Sequence, residues 1–177
     1  MLPPLLIGTY TEPILFGTGE LFQGKGRGVY FCERTAAGLR TLDLVPCANP
    51  SFLCFDQDWE TVYAVNEMKT FGSEYGGGLS RISCQGEPRL LQQEGTGGTD
   101  PCHLALSPDR NLLCVSNFAS GSLSVFSLGP EGEIGERSLF SHEGSGVDPI
   151  RQKGPHAHAV LFMKTAPLLF VPDLGMD

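Results

Sequence analysis

Apolar and polar residues recur along this chain in one repeated order. Asn49-Pro50-Ser51-Phe52-Leu53-Cys54-Phe55-Asp56 is an apolar run that leads into a turn, and Thr61-Val62-Tyr63-Ala64-Val65-Asn66 is a second run that ends on a polar residue. Asp100-Pro101-Cys102-His103-Leu104-Ala105-Leu106-Ser107 repeats the first run, and Leu112-Leu113-Cys114-Val115-Ser116-Asn117 repeats the second, roughly fifty positions later. A third copy starts at Pro155-His156-Ala157-His158-Ala159-Val160-Leu161-Phe162 and closes on Leu168-Leu169-Phe170-Val171-Pro172-Asp173. A leading partial copy, Leu5-Leu6-Ile7-Gly8-Thr9, puts Thr9 where Asn66 stands. Each second run is followed by a Gly-rich connector and an alternating segment: Gly28-Val29-Tyr30-Phe31-Cys32, Gly78-Leu79-Ser80-Arg81-Ile82, and residues 122–128. Glu136-Arg137-Ser138-Leu139-Phe140 predicts a fourth short strand, and no window carries a capped helical period.

Four short strands per repeat of this length is the arithmetic of a propeller blade. The fold class expected is therefore all-β: four-stranded antiparallel blades in a single partial β-propeller domain over residues 1–177. The repeats fall at approximately 1–48 (partial), 49–99, 100–153 and 154–177 (partial). About three blades of this width do not close a ring, so an incomplete ring is expected, with open edges available for self-association.

Composition narrows the function. The net charge of −8 leaves no basic footprint for nucleic acid or for an anionic membrane surface. Positive charge for an anionic ligand would have to be local. No stretch of eighteen apolar residues predicts a membrane span, and residues 1–10 lack the basic start of a signal peptide. None of the six cysteines has C-x-x-C spacing. Buried, reduced thiols and a cytoplasmic setting are the expectation.

Several strings resemble the seven-bladed lactonase family that includes 6-phosphogluconolactonases and carboxymuconate-lactonising enzymes. They are Ile7-Gly8-Thr9-Tyr10-Thr11, Asn49-Pro50-Ser51-Phe52-Leu53, Tyr63-Ala64-Val65-Asn66-Glu67 and Gly98-Thr99-Asp100-Pro101-Cys102-His103. More specific are His142-Glu143-Gly144-Ser145-Gly146, Arg151-Gln152-Lys153-Gly154-Pro155-His156-Ala157-His158 and Phe170-Val171-Pro172-Asp173-Leu174-Gly175. The resemblance covers the whole chain but only the amino-terminal half of a family member, about three of an expected seven blades. One departure is Met163-Lys164-Thr165-Ala166-Pro167, which stands where the family has an Asp-Pro-Asp-Gly turn. The resemblance implies a small anionic lactone as substrate, no cofactor, and hydrolysis of 6-phosphogluconolactone to 6-phosphogluconate. Carboxymuconate lactonisation and a non-catalytic interaction scaffold are the alternatives.

The catalytic candidates are His158, His156 and Arg151. A histidine two places from another shares a strand face with it, and its near-neutral pKa suits a base that activates water. Arg151 can hold a carboxylate or phosphate, or a developing oxyanion. His103, Gln152, Asn117, Asn66 and Asp173 are candidate substrate contacts. His142 and Glu143 are expected to hold the loop before Arg151. Thr9, Asn66, Asn117 and Asp173 share one repeated position, which argues for building blades. A ring of oxygen ligands around a cation is the other reading, weakened because only one of the four is a carboxylate. His156 and His158 lack an obvious third ligand for zinc. Residues 24–28 and 76–78 are glycine-rich without the phosphate-loop spacing and read as flexible connectors. Ser145 lacks the G-x-S-x-G context of a nucleophile.

Overall fold

The computed structural model describes residues 5–15, 19–56, 58 and 60–176, and every regular element among them is a strand. The first sheet runs in the order β1 (Leu5–Ile7), β4 (Gly28–Thr35), β5 (Gly38–Pro46), and a small hairpin of β2 (Pro13–Leu15) and β3 (Leu21–Gln23) is inserted between its first two strands. The second sheet joins β6 (Pro50–Asp56), β7 (Thr61–Asn66), β10 (Gly78–Ser83) and β11 (Arg89–Gly95), with the hairpin β8 (Thr70–Phe71) and β9 (Glu74–Tyr75) in its connector. The third joins β12 (Pro101–Leu106), β13 (Leu112–Asn117), β14 (Ser122–Leu128) and β15 (Ile134–Ser141), in chain order. A final hairpin pairs β16 (Leu161–Phe162) with β17 (Leu169–Phe170). All of these pairings are antiparallel, as propeller blades require.

The second strands are apolar on both sides because each blade is packed between two others. Every residue of β7 is buried. Its Val62 joins Val29, Phe31, Val45 and Ile82 in the seam with the first blade. Its Tyr63 and Val65 join Leu104, Leu113, Val115 and Phe126 in the seam with the third. On β13 the alternation repeats: Leu113 and Val115 face the second blade, while Cys114 packs with Leu123 and Val160 toward the last hairpin. The two-residue period of a strand thus assigns alternate side chains to alternate neighbours. Each such aliphatic side chain is worth about 1.5–3 kcal/mol on burial.

Glycines let the connectors close tightly against the next blade. A Cβ on Gly77 would lie 2.1 Å from the Pro101 ring, and one on Gly121, at φ +56, would lie 2.4 Å from Pro155. Residues 76 and 77, expected as part of a flexible loop, are buried; Gly77 N–H donates to the Gly98 carbonyl at 2.7 Å. The connectors of the first two blades also carry hairpins that the glycine content masked. In the third copy, the strand expected from Pro155 is reduced to one bridge, Ala157 opposite Asp173, before β16 begins. The departure at residues 163–167 still closes a turn, through Met163 N–H to the Leu168 carbonyl at 2.9 Å.

Candidate active site

The repeated strand-end residues turn inward, into their own blades. Asn66 is wholly buried; its amide donates to the Ala48 carbonyl at 2.6 Å and accepts from Ser80 Oγ at 2.7 Å. Asn117 is equally buried and donates to Ser124 Oγ at 2.8 Å. Thr9 Oγ1 donates to the Gly28 carbonyl at 2.8 Å. Asp173 Oδ1 accepts from the His156 and Gly175 amides at 2.7 and 2.8 Å, and its Oδ2 lies 2.6 Å from His142 Nδ1. Burial alone would raise the Asp173 carboxyl, but these donors outweigh it and hold the group below the usual carboxylate range. Asn66 spends both amide atoms on the scaffold; Asn117 is as deeply buried, its amide nitrogen bonded within the blade and its Oδ1 without a partner, and neither lines the two cavities that His156 and His158 border. Asp173 and His142 hold the segment carrying the two candidate histidines.

The residue after each strand end faces the other way. These residues are Tyr10, Glu67, Phe118 and Leu174, and they differ in chemistry. The backbone fixes the last three by one device: Glu67 N–H donates to the Asn49 carbonyl at 3.0 Å, Phe118 N–H to that of Asp100 at 2.9 Å, and Leu174 N–H to that of His156 at 3.0 Å. Glu67 and Phe118 line a cavity of about 430 Å³ together with Lys69, Asp100, Arg151 and His158. Phe118 and Arg151 also border an adjoining cavity of about 720 Å³, lined by Gln152, His156 and Leu174 among others. The β2 hairpin supplies Ile14 and Leu15 to the rim of the first.

Both histidines are organised by Phe118. The His156 ring stacks on it, with centroids 4.7 Å apart and planes at 18°, and His156 Nδ1 lies 3.1 Å from the Phe118 carbonyl. With Nδ1–H donated there, Nε2 carries the lone pair. The exposed His158 ring meets Phe118 edge-on, with centroids at 5.4 Å. Ala157 pairs opposite Asp173 as Pro50 and Pro101 pair opposite Asn66 and Asn117. By this register His158 stands at the place of Ser51 and Cys102, which are the bulged residues of β6 and β12, and so one place short of His103. Bulges aim a side chain out of the ladder, and they recur beside functional sites.

The titratable groups around the first cavity are perturbed. Burial pushes the Glu67 carboxyl above its ordinary value; the Ser51 hydroxyl and the Tyr10 hydroxyl, the latter donating to Glu67 Oε2 at 2.9 Å, pull partly the other way, as does His158. Burial also raises Asp100, which Lys69 opposes. Burial carries the Cys102 thiol up to about 11, so it remains a thiol at neutral pH and is not a nucleophile. His103 is lowered by burial and then by His158; its ring lies 4.0 Å from that of Phe52, and its Nδ1 accepts from Val160 N–H at 3.4 Å. That leaves a neutral ring tied into the blade seam.

Of the residues singled out in the sequence, His156, His158 and Arg151 come together. Gln152 spends its side chain on the loop, accepting from Asp148 N–H at 2.9 Å and donating to the Leu174 carbonyl at 3.2 Å. Tyr10, Glu67, Lys69, Asp100 and Phe118 were not singled out. The available signal was the variation at the position after each repeated polar residue. Among the described residues no helix is long and apolar enough to cross a membrane and no group of three metal-ligating side chains occurs, and all six cysteines are free.

Comparison with known proteins agrees with this architecture. A 6-phosphogluconolactonase from Formosa agariphila is 30% identical over 132 residues, covering 73% of this chain and 37% of the relative. One from Bacillus subtilis is 25% identical, covering 97% and 46%. The structure of the periplasmic gluconolactonase of Pseudomonas aeruginosa superposes with a TM-score of 0.82 at 28% identity, covering 98% of this chain and 48% of that one. The chain thus spans less than half the length of these relatives. The family described as Lactonase, 7-bladed beta-propeller, matches residues 4–177, and the chain belongs to that family.

Proposed function

We propose that this chain carries part of the site of a lactonase that hydrolyses a small anionic sugar lactone, 6-phosphogluconolactone to 6-phosphogluconate. The observation that carries the reading is the convergence of His158, Arg151 and Lys69 on one cavity in a chain of net charge −8. Arg151 and Lys69, beside the carboxyls of Glu67 and Asp100, are the positive charge the cavity offers an anionic ligand. In this reading His158 takes the proton of the attacking water, and Arg151 meets the oxyanion that forms on the carbonyl. Lys69 holds the substrate's anionic end, and His156, stacked on Phe118, fixes the wall between the two cavities. No metal or cofactor enters these steps. The free cysteines support a reducing, cytoplasmic setting. Residues 1–177 act as one partial propeller domain, and the exposed Leu5, Leu161 and Phe170 on the two end sheets support self-association.

The test is hydrolysis of freshly prepared 6-phosphogluconolactone, corrected for its spontaneous rate, with and without chelator, by this chain and by a form extended to seven blades. Turnover unaffected by chelator supports the reading. Turnover only on a carboxymuconate lactone moves the assignment to lactonisation, and no turnover on either favours a non-catalytic scaffold.

A further inference from the structure

We infer that Glu67 is a catalytic acid of the lactone reaction: its carboxyl, held by Tyr10, gives a proton to the ring oxygen as the carbonyl carbon–oxygen bond breaks. The inference rests on the lactonase reading above and assigns a second proton-transfer group to the same cavity.

Three observations point to it. The first is position. Glu67 occupies the place that holds a tyrosine in the first blade and a phenylalanine in the third, so its carboxyl is not part of the blade's own construction. It lines the cavity shared with His158, Arg151, Lys69 and Asp100. The second is fixation. Asn49 holds the Glu67 backbone on both sides, accepting from its N–H and donating from Nδ2 to its carbonyl, each at 3.0 Å. Asn49 is itself buried at φ 40, and its Oδ1 accepts from the Thr11 and Glu12 amides at 2.8 and 3.0 Å. A carboxyl on so braced a backbone presents its oxygens in a defined place. The third is the partner. Tyr10 donates to Oε2 at 2.9 Å, which a carboxylic acid accepts as readily as a carboxylate, and the Ser51 hydroxyl acts on the same carboxyl, so the acid form is held in place by its neighbours. The groups facing Glu67 are Ser51, Tyr10, Asp100 and His158, with Lys69, Cys102 and Arg151 lining the same cavity. Burial and Asp100 favour the protonated form, while Ser51, Tyr10 and His158 oppose it.

The proton balance closes. Water oxygen bonds to the lactone carbonyl carbon, and a water proton passes to His158. The tetrahedral intermediate collapses, the bond to the ring oxygen breaks, and that oxygen leaves with the electron pair and the Glu67 proton. The product is a hydroxy acid. The imidazolium of His158 and the carboxylate of Glu67 then return to their starting forms by net transfer of one proton between them. A half-buried carboxyl and an exposed imidazole on one cavity thus divide the two proton transfers of the reaction between them.

The experiment compares wild type with Glu67→Gln on two lactones: 6-phosphogluconolactone, whose alkoxide leaves poorly, and the aryl lactone dihydrocoumarin, whose phenolate leaves without a proton. Glu67→Gln is expected to lose about 100-fold or more in kcat on the sugar lactone and to stay within about threefold on the aryl lactone. Equal loss on both, or no loss on the sugar lactone, overturns the assignment and leaves the lactonase reading intact. Absence of wild-type turnover on every lactone removes both. A readout independent of turnover and of the variant's folding is the ¹³C titration of the Glu67 carboxyl in wild type. A midpoint above the ordinary value of about 4.3, raised further by Tyr10→Phe, is expected. A midpoint at the ordinary value overturns the assignment.

Discussion

Two adjacent rows of residues pass through the same strand ends and do opposite work. Thr9, Asn66, Asn117 and Asp173 are alike in polarity and turn into the scaffold, where their side chains close hydrogen bonds of the blades and their connecting loops. Tyr10, Glu67, Phe118 and Leu174 are unlike one another. Of these, Glu67, Phe118 and Leu174 line the cavities, and Tyr10 meets Glu67. The backbone is repeated faithfully through both rows, so the difference comes from direction alone. A position facing a blade interior meets the same surroundings in every repeat and keeps the same chemistry. A position facing the cavities meets different neighbours in each repeat, so its chemistry is free to diverge.

That contrast can be broken in several places. The largest effect is expected on the cavity side. His158→Ala should lower kcat/KM on the sugar lactone by about 100-fold or more, with urea stability unchanged within about 0.5 kcal/mol because the residue is exposed. A matching loss of stability would return His158 to the scaffold. Next, Asn66→Ala should cost about 1–3 kcal/mol in urea unfolding, since the Ala48 carbonyl loses its donor and the Ser80 O–H its acceptor in a buried place, while Ser80 Oγ keeps only the bond it accepts from Gln93. An Asn66→Ala protein that unfolds with wild type would dissolve the distinction between the rows. Phe118→Ala, which removes the surface organising both histidines, should cost about tenfold in kcat/KM; a change confined to stability would make Phe118 a packing residue only.

The smallest effect is on pH dependence, and the two rows carry opposite signs. Asp173 has a lowered folded pKa, so its contribution is present above the unfolded value of about 3.9 and is lost as pH falls through the lower folded value. Asp173→Asn should flatten that acid limb of the stability curve. Glu67 has a raised folded pKa, so its contribution is present below about 4.3 and is lost as pH rises through the folded value. Glu67→Gln should remove that decline. Urea midpoints measured across pH for both variants check the pair of signs, and a common sign would contradict the separation.

Much of this was readable in the repeat. The limits of β14, the start of β4 at Gly28 and a fourth strand at β15 follow from alternation, and the resemblance of the motif strings points to the family whose model matches residues 4–177. His156, His158 and Arg151 were visible because they fall in a dense motif. Glu67 was not: it sat in an otherwise unexceptional strand end, and carboxylates are usually solvated. Nor was the register at His158, where Pro155 suggested one alignment and the Ala157–Asp173 bridge imposed another. A proline marks a strand start only by what it forbids, whereas register follows from the hydrogen bonds the neighbouring chain offers.

The sequence by itself determined that the chain is built of repeated, wholly apolar strands with polar ends, because strand periodicity and burial between neighbouring blades are properties of short segments. Only the tertiary structure decided which of two adjacent residues looks into a blade and which into the cavity. It also brought Tyr10 from one blade onto Glu67 of the next, across a seam joining residues far apart in the chain. Such pairings depend on the angle at which blades pack, and that angle is the joint outcome of the side chains meeting at each seam.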